Sequence, residues 1–271
     1  MATLLLYPAN WEVKMSIQSV SRASAILKLF REHEKLSIAQ IALLMNLSKT
    51  TVHGLVKTLE EEKLLQQDAK SRLYSLGHIN YELGMLYQSR IVTHAVVLPW
   101  MKKLSEQVEE TVQLATLTDA EVIYLSRVTT QDFYGFSIAE GLRMPAHCTS
   151  TGKCMLATLP VPRLMELYPQ ETLLTRTPQT IATRSELLQQ LQTVAQAGYA
   201  IDDEEAEKGL RGIAIPLLTA ANSAPLAICI SGTVNHMTDA RIRQYLPALQ
   251  DTRLEIARLL GNNTTHAAAL Y

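Results

Sequence analysis

From Met15 onward, apolar residues recur at the three-and-four spacing that gathers them on one face of a helix. Val20, Ala23, Leu27 and Phe30 predict a first helix over about 17–31. Ser37 and Gln40 then form the S-x-x-Q pattern of a capping box, and Ile38, Ile41, Ala42 and Met45 follow on one side. A short second helix is predicted over about 38–45. Ser48 is another good N-cap, and Val52, Leu55, Val56 and Leu59 mark the buried stripe of a third helix ending near Glu61. Leu64 to Asp68 and Arg72 to Leu76 read as two short strands around the polar turn Ala69-Lys70-Ser71. Helix, helix, turn, helix and hairpin is the order of a winged helix-turn-helix.

Beyond Gly77 the pattern changes. Ile79, Leu83 and Leu86 predict a further helix to about Arg90, where a linker or dimerisation helix would lie, and Pro99 is expected to start another over about 100–109. Strands are predicted at Thr111 to Thr118 and Glu121 to Val128 around an Asp119-Ala120 turn, at Phe133 to Ile138, at Gly212 to Leu218 and at Leu226 to Ser231. Helices are predicted over 151–159, 161–168, 184–197 and 239–260. Helices packed on such a sheet make an α+β domain. The chain therefore divides into a flexible extension (1–14), a winged helix-turn-helix (15–76), a linker helix (77–93), a larger α+β domain (94–262) and a loose tail (263–271).

Composition supports a folded globular protein: 47% of the residues are hydrophobic and 19% charged. No run approaches the roughly 18 apolar residues of a membrane span, and the start lacks the charged region of a signal peptide, so a cytoplasmic location without membrane partners is expected. Cys148, Cys154 and Cys229 form no disulfide framework and no CxxC pair. The net charge of -1 is unevenly spread. Residues 15–76 carry nine Lys/Arg against six Asp/Glu, a mildly basic head on an acidic body.

That head carries candidate DNA contacts. On a helical wheel Lys49, Thr50, His53 and Lys57 share the side of the third helix opposite its apolar stripe, a surface that a major groove accepts. Ser48 and Thr51 flank its start, and Lys70 and Arg72 stand on the hairpin where a wing touches backbone or minor groove.

From Ile17 to about Leu260 the chain resembles the IclR family of bacterial regulators. IQSVSRASAILKLF, LSIAQIALLMNLSKTTVHGLVKTLEEEKLL and SRLYSLG look like the family's winged helix. GLRMPAHCTSTGKCMLATL and GYAIDDEEAEKGLRGIAIPLL look like the two signatures of its effector domain. One departure is Gly54, which stands where an arginine is common and offers DNA no side chain. The resemblance implies a GAF-like C-terminal domain that binds a small carboxylate or sugar acid and controls affinity for double-stranded operator DNA. It implies a homodimer or tetramer, repression more than activation, RNA polymerase as a further candidate partner, and no cofactor.

The resemblance also implies effector-binding residues. Ser150 and Thr151 correspond to the positions whose backbone N–H groups meet the ligand carboxylate, where unpaired donors and the helix dipole favour an anion. The pocket aspartate corresponds to Asp202, a cysteine to Gly212, and two serines to Cys229 and Ser231; Met144 and Leu210 are expected as apolar walls. Loss of a side chain at Gly212 is expected to enlarge the cavity, and Asp202 has the alternative of an acidic loop, Asp202 to Glu205, facing solvent. Two other readings exist: a metal bound by His147, Cys148, Asp202, Cys229 and His236, or an enzyme using Cys148 or Cys154 with His147 as base. Structural-zinc spacing, phosphate loops and nucleophile elbows are absent, so no metal ligand or catalytic residue is assigned. A body that only oligomerises, without a ligand, is a further alternative.

Overall fold

The computed structural model of the chain describes residues 17–90, 92–129, 140–217 and 225–259, with the side chains of 88–90 and 92–96 left aside. It divides into two compact units, residues 1–90 and 91–271. The extension 1–14, the tail 263–271 and the strand expected at Phe133 to Ile138 lie outside the described residues.

The first unit is built on local signals. Helix α1 spans Gln18–Leu29, α2 Ile38–Met45 and α3 Lys49–Glu61. Ser37 and Gln40 cap α2 reciprocally: the Gln40 N–H donates to Ser37 Oγ (3.3 Å) and the Ser37 N–H to Gln40 Oε1 (2.9 Å). The helix stops at Asn46, whose φ of 50° is left-handed, and Ser48 Oγ opens α3 by accepting from the Thr51 N–H at 3.1 Å. Ile26, Phe30, Ile41, Val52, Val56 and Leu59 close the core between them. Of the expected α1 stripe, Ala23, Leu27 and Phe30 face this core, joined by the fully buried Ile26, while Val20 is exposed.

Strands β1 (Leu65–Gln67) and β2 (Tyr74–Leu76) form the expected hairpin, shorter than predicted. Asp68 Oδ1 accepts from the N–H groups of Lys70 (3.2 Å) and Ser71 (2.7 Å), and Arg72 takes φ 60°, which ends strand pairing before Leu73. Helix α4 (Ile79–Arg90) is tied to the hairpin base by Asn80, whose amide donates to the carbonyls of Leu64 (2.7 Å) and Gly77 (2.8 Å).

The second unit is a six-stranded antiparallel sheet in the order β5-β4-β3-β8-β7-β6. Strands β3 (Thr111–Thr118) and β4 (Glu121–Val128) have the predicted bounds. Strands β7 (Leu210–Leu217) and β8 (Leu226–Thr233) each run two residues beyond one predicted end. Two short strands, β5 (Arg143–Pro145) and β6 (Ala200–Asp203), were not expected; three or four residues carry too little alternation to stand out.

Period-two alternation divides the sheet between two helical layers. Val112, Leu114, Ile213, Ile215, Ile228 and Ile230 pack with α5 (Val92–Val108) and α9 (Asp239–Leu259). Ala115, Leu117, Ala214, Ala227 and Cys229 face the layer that holds α6 (Ser150–Leu156), α7 (Val161–Leu167) and α8 (Arg184–Ala197). Pro99 does not begin α5 but lies inside it. The missing N–H is tolerated because Val97, Met101, Leu104 and Val108 continue one buried stripe across it.

Candidate functional site

In the first unit, Val52, Val56 and Leu59 turn α3 inward, so Lys49, Thr50, His53 and Lys57 are exposed on the other side. Ser48 and Thr51 are engaged in the cap, their hydroxyls 2.9 Å apart. Lys57 is within 3.9 Å of Glu61, an exposed pair of little energetic weight. Lys70 and Arg72 are exposed on the hairpin, in the turn that Asp68 organises. Gly54 is exposed too, and a Cβ added there would meet nothing within 4 Å. Nothing in the packing of α3 requires a glycine.

In the second unit, seven of the eight residues expected at an effector site line one cavity: Met144, Ser150, Asp202, Leu210, Gly212, Cys229 and Ser231. Thr151, the eighth, is fully buried at the next helical position but is not part of the lining. The sheet register explains the gathering. Gly212 pairs with Ser231 and Asp202 with Gly212, and the Ser150 hydroxyl closes over them from α6. Gln113, Tyr124, Ala206, Glu207 and Arg211 complete the lining, and sequence reasoning missed them. Gln113 left a signal, being a long polar residue on the inward face of an apolar strand.

The cavity is small, about 30 Å³, room for about one or two water molecules. The extra space expected at Gly212 is not open: a Cβ there would lie 3.1 Å from Ser150 Oγ and 3.6 Å from Ser231 Cβ. An organic acid can enter only if these walls move apart.

The electrostatics of the cavity come from three groups. Thr149 caps α6 by accepting from the Gly152 N–H at 3.0 Å, and Gly152 packs so closely on the Ala146 carbonyl that a Cβ would stand 2.1 Å from its oxygen. The N–H groups of Ser150 and Thr151 have no hydrogen-bond partner among the described residues. Lys153, one turn along, is fully buried and pairs with the buried Glu205. Asp202 Oδ1 accepts from the N–H groups of Glu205 (2.9 Å) and Ala206 (3.2 Å), which binds the turn after β6 to the cavity. Burial, with the Glu205 carboxylate second, pushes Asp202 up to about 7 against the opposing pull of those two N–H groups and Lys153. Asp202 is thus not part of a solvent-facing loop; Asp203 turns outward to Arg211 instead, 2.7 Å from its Nε.

The three thiols are buried. Burial pushes Cys148 and Cys229 up to about 12 and Cys154 well above its ordinary value, which keeps all three protonated and poorly nucleophilic. His147 lies 2.9 Å from the Leu174 carbonyl, and His236 pairs with Glu110, so these residues do not converge with Asp202. Among the described residues no three His, Cys, Asp or Glu side chains are grouped to hold a metal.

Residues 85–258 match the family model of the bacterial transcriptional regulator IclR C-terminal domain, and residues 19–69 match that of the IclR helix-turn-helix domain. The chain belongs to the IclR family. It is 32% identical over 246 residues to the transcriptional regulator XynR of Escherichia coli K12, covering 90% of this chain and 98% of that one. The HTH-type transcriptional regulator KipR of Bacillus subtilis is 28% identical over 244 residues, or 90% and 97% of the two chains. An IclR regulator structure from Alicyclobacillus acidocaldarius has the same fold, with a TM-score of 0.78 at 24% identity over 90% of this chain and 99% of that one. A second, an IclR homologue of Microbacterium hydrocarbonoxydans complexed with 4-hydroxybenzoate, gives 0.77 at 21% identity over 90% and 100%. This IclR-family chain is a transcriptional regulator with a DNA-binding helix-turn-helix. Among its described residues no helix is long and apolar enough to cross a membrane.

Proposed function

We propose that this regulator places α3 in the major groove of double-stranded operator DNA, with Lys70 and Arg72 against the backbone, and that a small organic acid in the Ser150–Asp202 cavity sets its operator affinity. It works as a homodimer or tetramer, since one winged helix reads half a site. Repression is the favoured mode; the E. coli repressor AllR is among its relatives, at 28% identity. An activator would in addition have to engage RNA polymerase.

The observation that carries the ligand reading is the pair of buried, unpartnered N–H groups at Ser150 and Thr151, beside a cavity lined by Asp202 and Ser231. Such donors favour an anion, and the Microbacterium homologue is complexed with a small carboxylate. Because the cavity must widen to admit an acid, binding selects one arrangement of its walls, and linkage then permits a change in operator affinity. The same narrowness supports a second reading, in which the body only oligomerises.

Thermal melting of the full chain against a panel of small organic acids, paired with operator gel shifts, separates the two. The expected result is an acid that stabilises the protein, by about 2.7 kcal/mol at a hundredfold excess over Kd, and also shifts operator affinity. Asp202→Ala should remove that response and leave DNA binding intact. If no acid in the panel does both, the ligand-free body is the correct reading.

A further inference from the structure

Gln113 sits in the middle of β3, is 1% exposed, and lines the cavity. Its cross-strand partner on β8 is Cys229, and Ser231 follows on the same face. Both reach one atom: the Ser231 hydroxyl donates to Gln113 Oε1 at 3.2 Å and the Cys229 thiol at 3.5 Å. A carboxamide has one acceptor oxygen and an NH2 group with two donors. With the oxygen held from two sides, the NH2 group is the end left over, and no acceptor among the described residues meets it. Gln113 lines the cavity, so an acceptor on a bound molecule can meet that group there. The other buried positions of this strand include Val112, Leu114, Ala115 and Leu117, so packing alone would be served by an apolar residue here.

The position of this donor is specific. Ser231 joins Gln113 to Gly212, its register partner, and Gly212 faces the Ser150 hydroxyl across the narrowest part of the cavity. Ser150 and Gln113 therefore border the same space of about 30 Å³. An acid held at the start of α6 beside Ser150 therefore occupies a space that the amide also borders.

We infer that Gln113 is an effector-contacting residue whose NH2 group donates to a second oxygen, oxo or hydroxyl, of the bound acid. This rests on the reading of the cavity as an organic-acid site. With Ser231 and Cys229 both donating to Oε1, the NH2 group is the end turned to the cavity, and that makes the contact selective for an acceptor. A site built around a fixed donor rejects the analogue that lacks the acceptor more strongly than an apolar pocket rejects a change of size.

The test uses acids matched in skeleton: propionate, lactate and pyruvate as one set, benzoate and salicylate as another. Affinities for the full chain are measured by calorimetry. The wild type is expected to prefer lactate and pyruvate to propionate, or salicylate to benzoate, by at least tenfold. Gln113→Met, close in shape but without the amide, is expected to lose the preference and bind the two members of each set alike. If Gln113→Met does not fold, Gln113→Leu likewise removes the amide without adding charge and is expected to lose the preference. A preference that survives in the folded variant, or a wild type that binds both members of a set equally, overturns the role of Gln113 while leaving the acid site standing. A preference for lactate with none for pyruvate also overturns it, since the amide would then be accepting. If none of the five acids binds the wild type, the acid-site reading falls and this inference with it.

Discussion

At Asp202 a single carboxylate combines an acceptor role with a buried charge. Its Oδ1 holds two backbone N–H groups, yet burial raises it from the ordinary carboxylate value to about 7. The folded state therefore keeps a proton that the unfolded chain gives up near pH 4. Between those two values the folded chain binds more protons than the unfolded one, so stability declines as pH rises, and above about 7 the penalty is complete. Asp202→Asn keeps the acceptor and has no proton to lose. Melting temperatures of variant and wild type, measured from pH 4 to 8, are expected to diverge in the variant's favour by roughly 1.4 kcal/mol per pH unit at the steepest, then run parallel. Parallel curves throughout would show that Asp202 ionises without cost. Gly54 illustrates the opposite case, a residue with no structural duty. Gly54→Ala is expected to raise stability by roughly 0.5 to 1 kcal/mol in denaturant titrations, the ordinary helix-interior difference; a loss would reveal a packing role that its open surroundings do not suggest.

At the scale of elements, α3 and the hairpin expose six polar or charged side chains on the surface proposed to meet DNA: Lys49, Thr50, His53, Lys57, Lys70 and Arg72. Lys49 and Arg72 are exposed cations on separate elements, and a phosphate contact by either would release counterions. Lys49→Ala and Arg72→Ala should each weaken operator binding and reduce the salt slope by about 0.9. An unchanged slope in both would move the DNA-facing surface elsewhere. Elements that carry their own punctuation were legible from the chain: Ser37, Gln40 and Ser48 announce α2 and α3, and the Asp119-Ala120 turn separates β3 from β4. The start of α5 was not, because Pro99 is a local stop signal that a long-range buried stripe overrides. Strands β5 and β6 exist because the edges of an already formed sheet recruit them, which no local pattern encodes. The cavity divides the same way. The resemblance named seven of its lining residues; Gln113 stands out as a polar residue on an apolar strand, but register with Cys229 is what places it at the cavity, and the tightness at Gly212 comes only from the approach of α6.

At the scale of the molecule, each of the two compact units has a core of its own, and neither core accounts for α4. Tyr81, Leu83, Met85 and Tyr87 expose 46% to 72% of their surface along this helix, whose first turn is held to the hairpin by Asn80. An apolar surface on that scale marks an association site in a folded protein. On the proposed reading of two operator half-sites, the partner is a second copy of the chain. Leu83 and Tyr87 are four residues apart and share a face. Leu83→Lys with Tyr87→Lys is therefore expected to shift the full chain toward monomer in sedimentation velocity. Operator affinity should fall with it, since two linked heads gain from effective concentration what one head lacks. The melting of each unit should stay within about 0.5 kcal/mol of the wild type, as for other exposed substitutions. A double variant that stays dimeric would place the dimer contact outside α4 and detach the linker helix from the transmission of any effector signal.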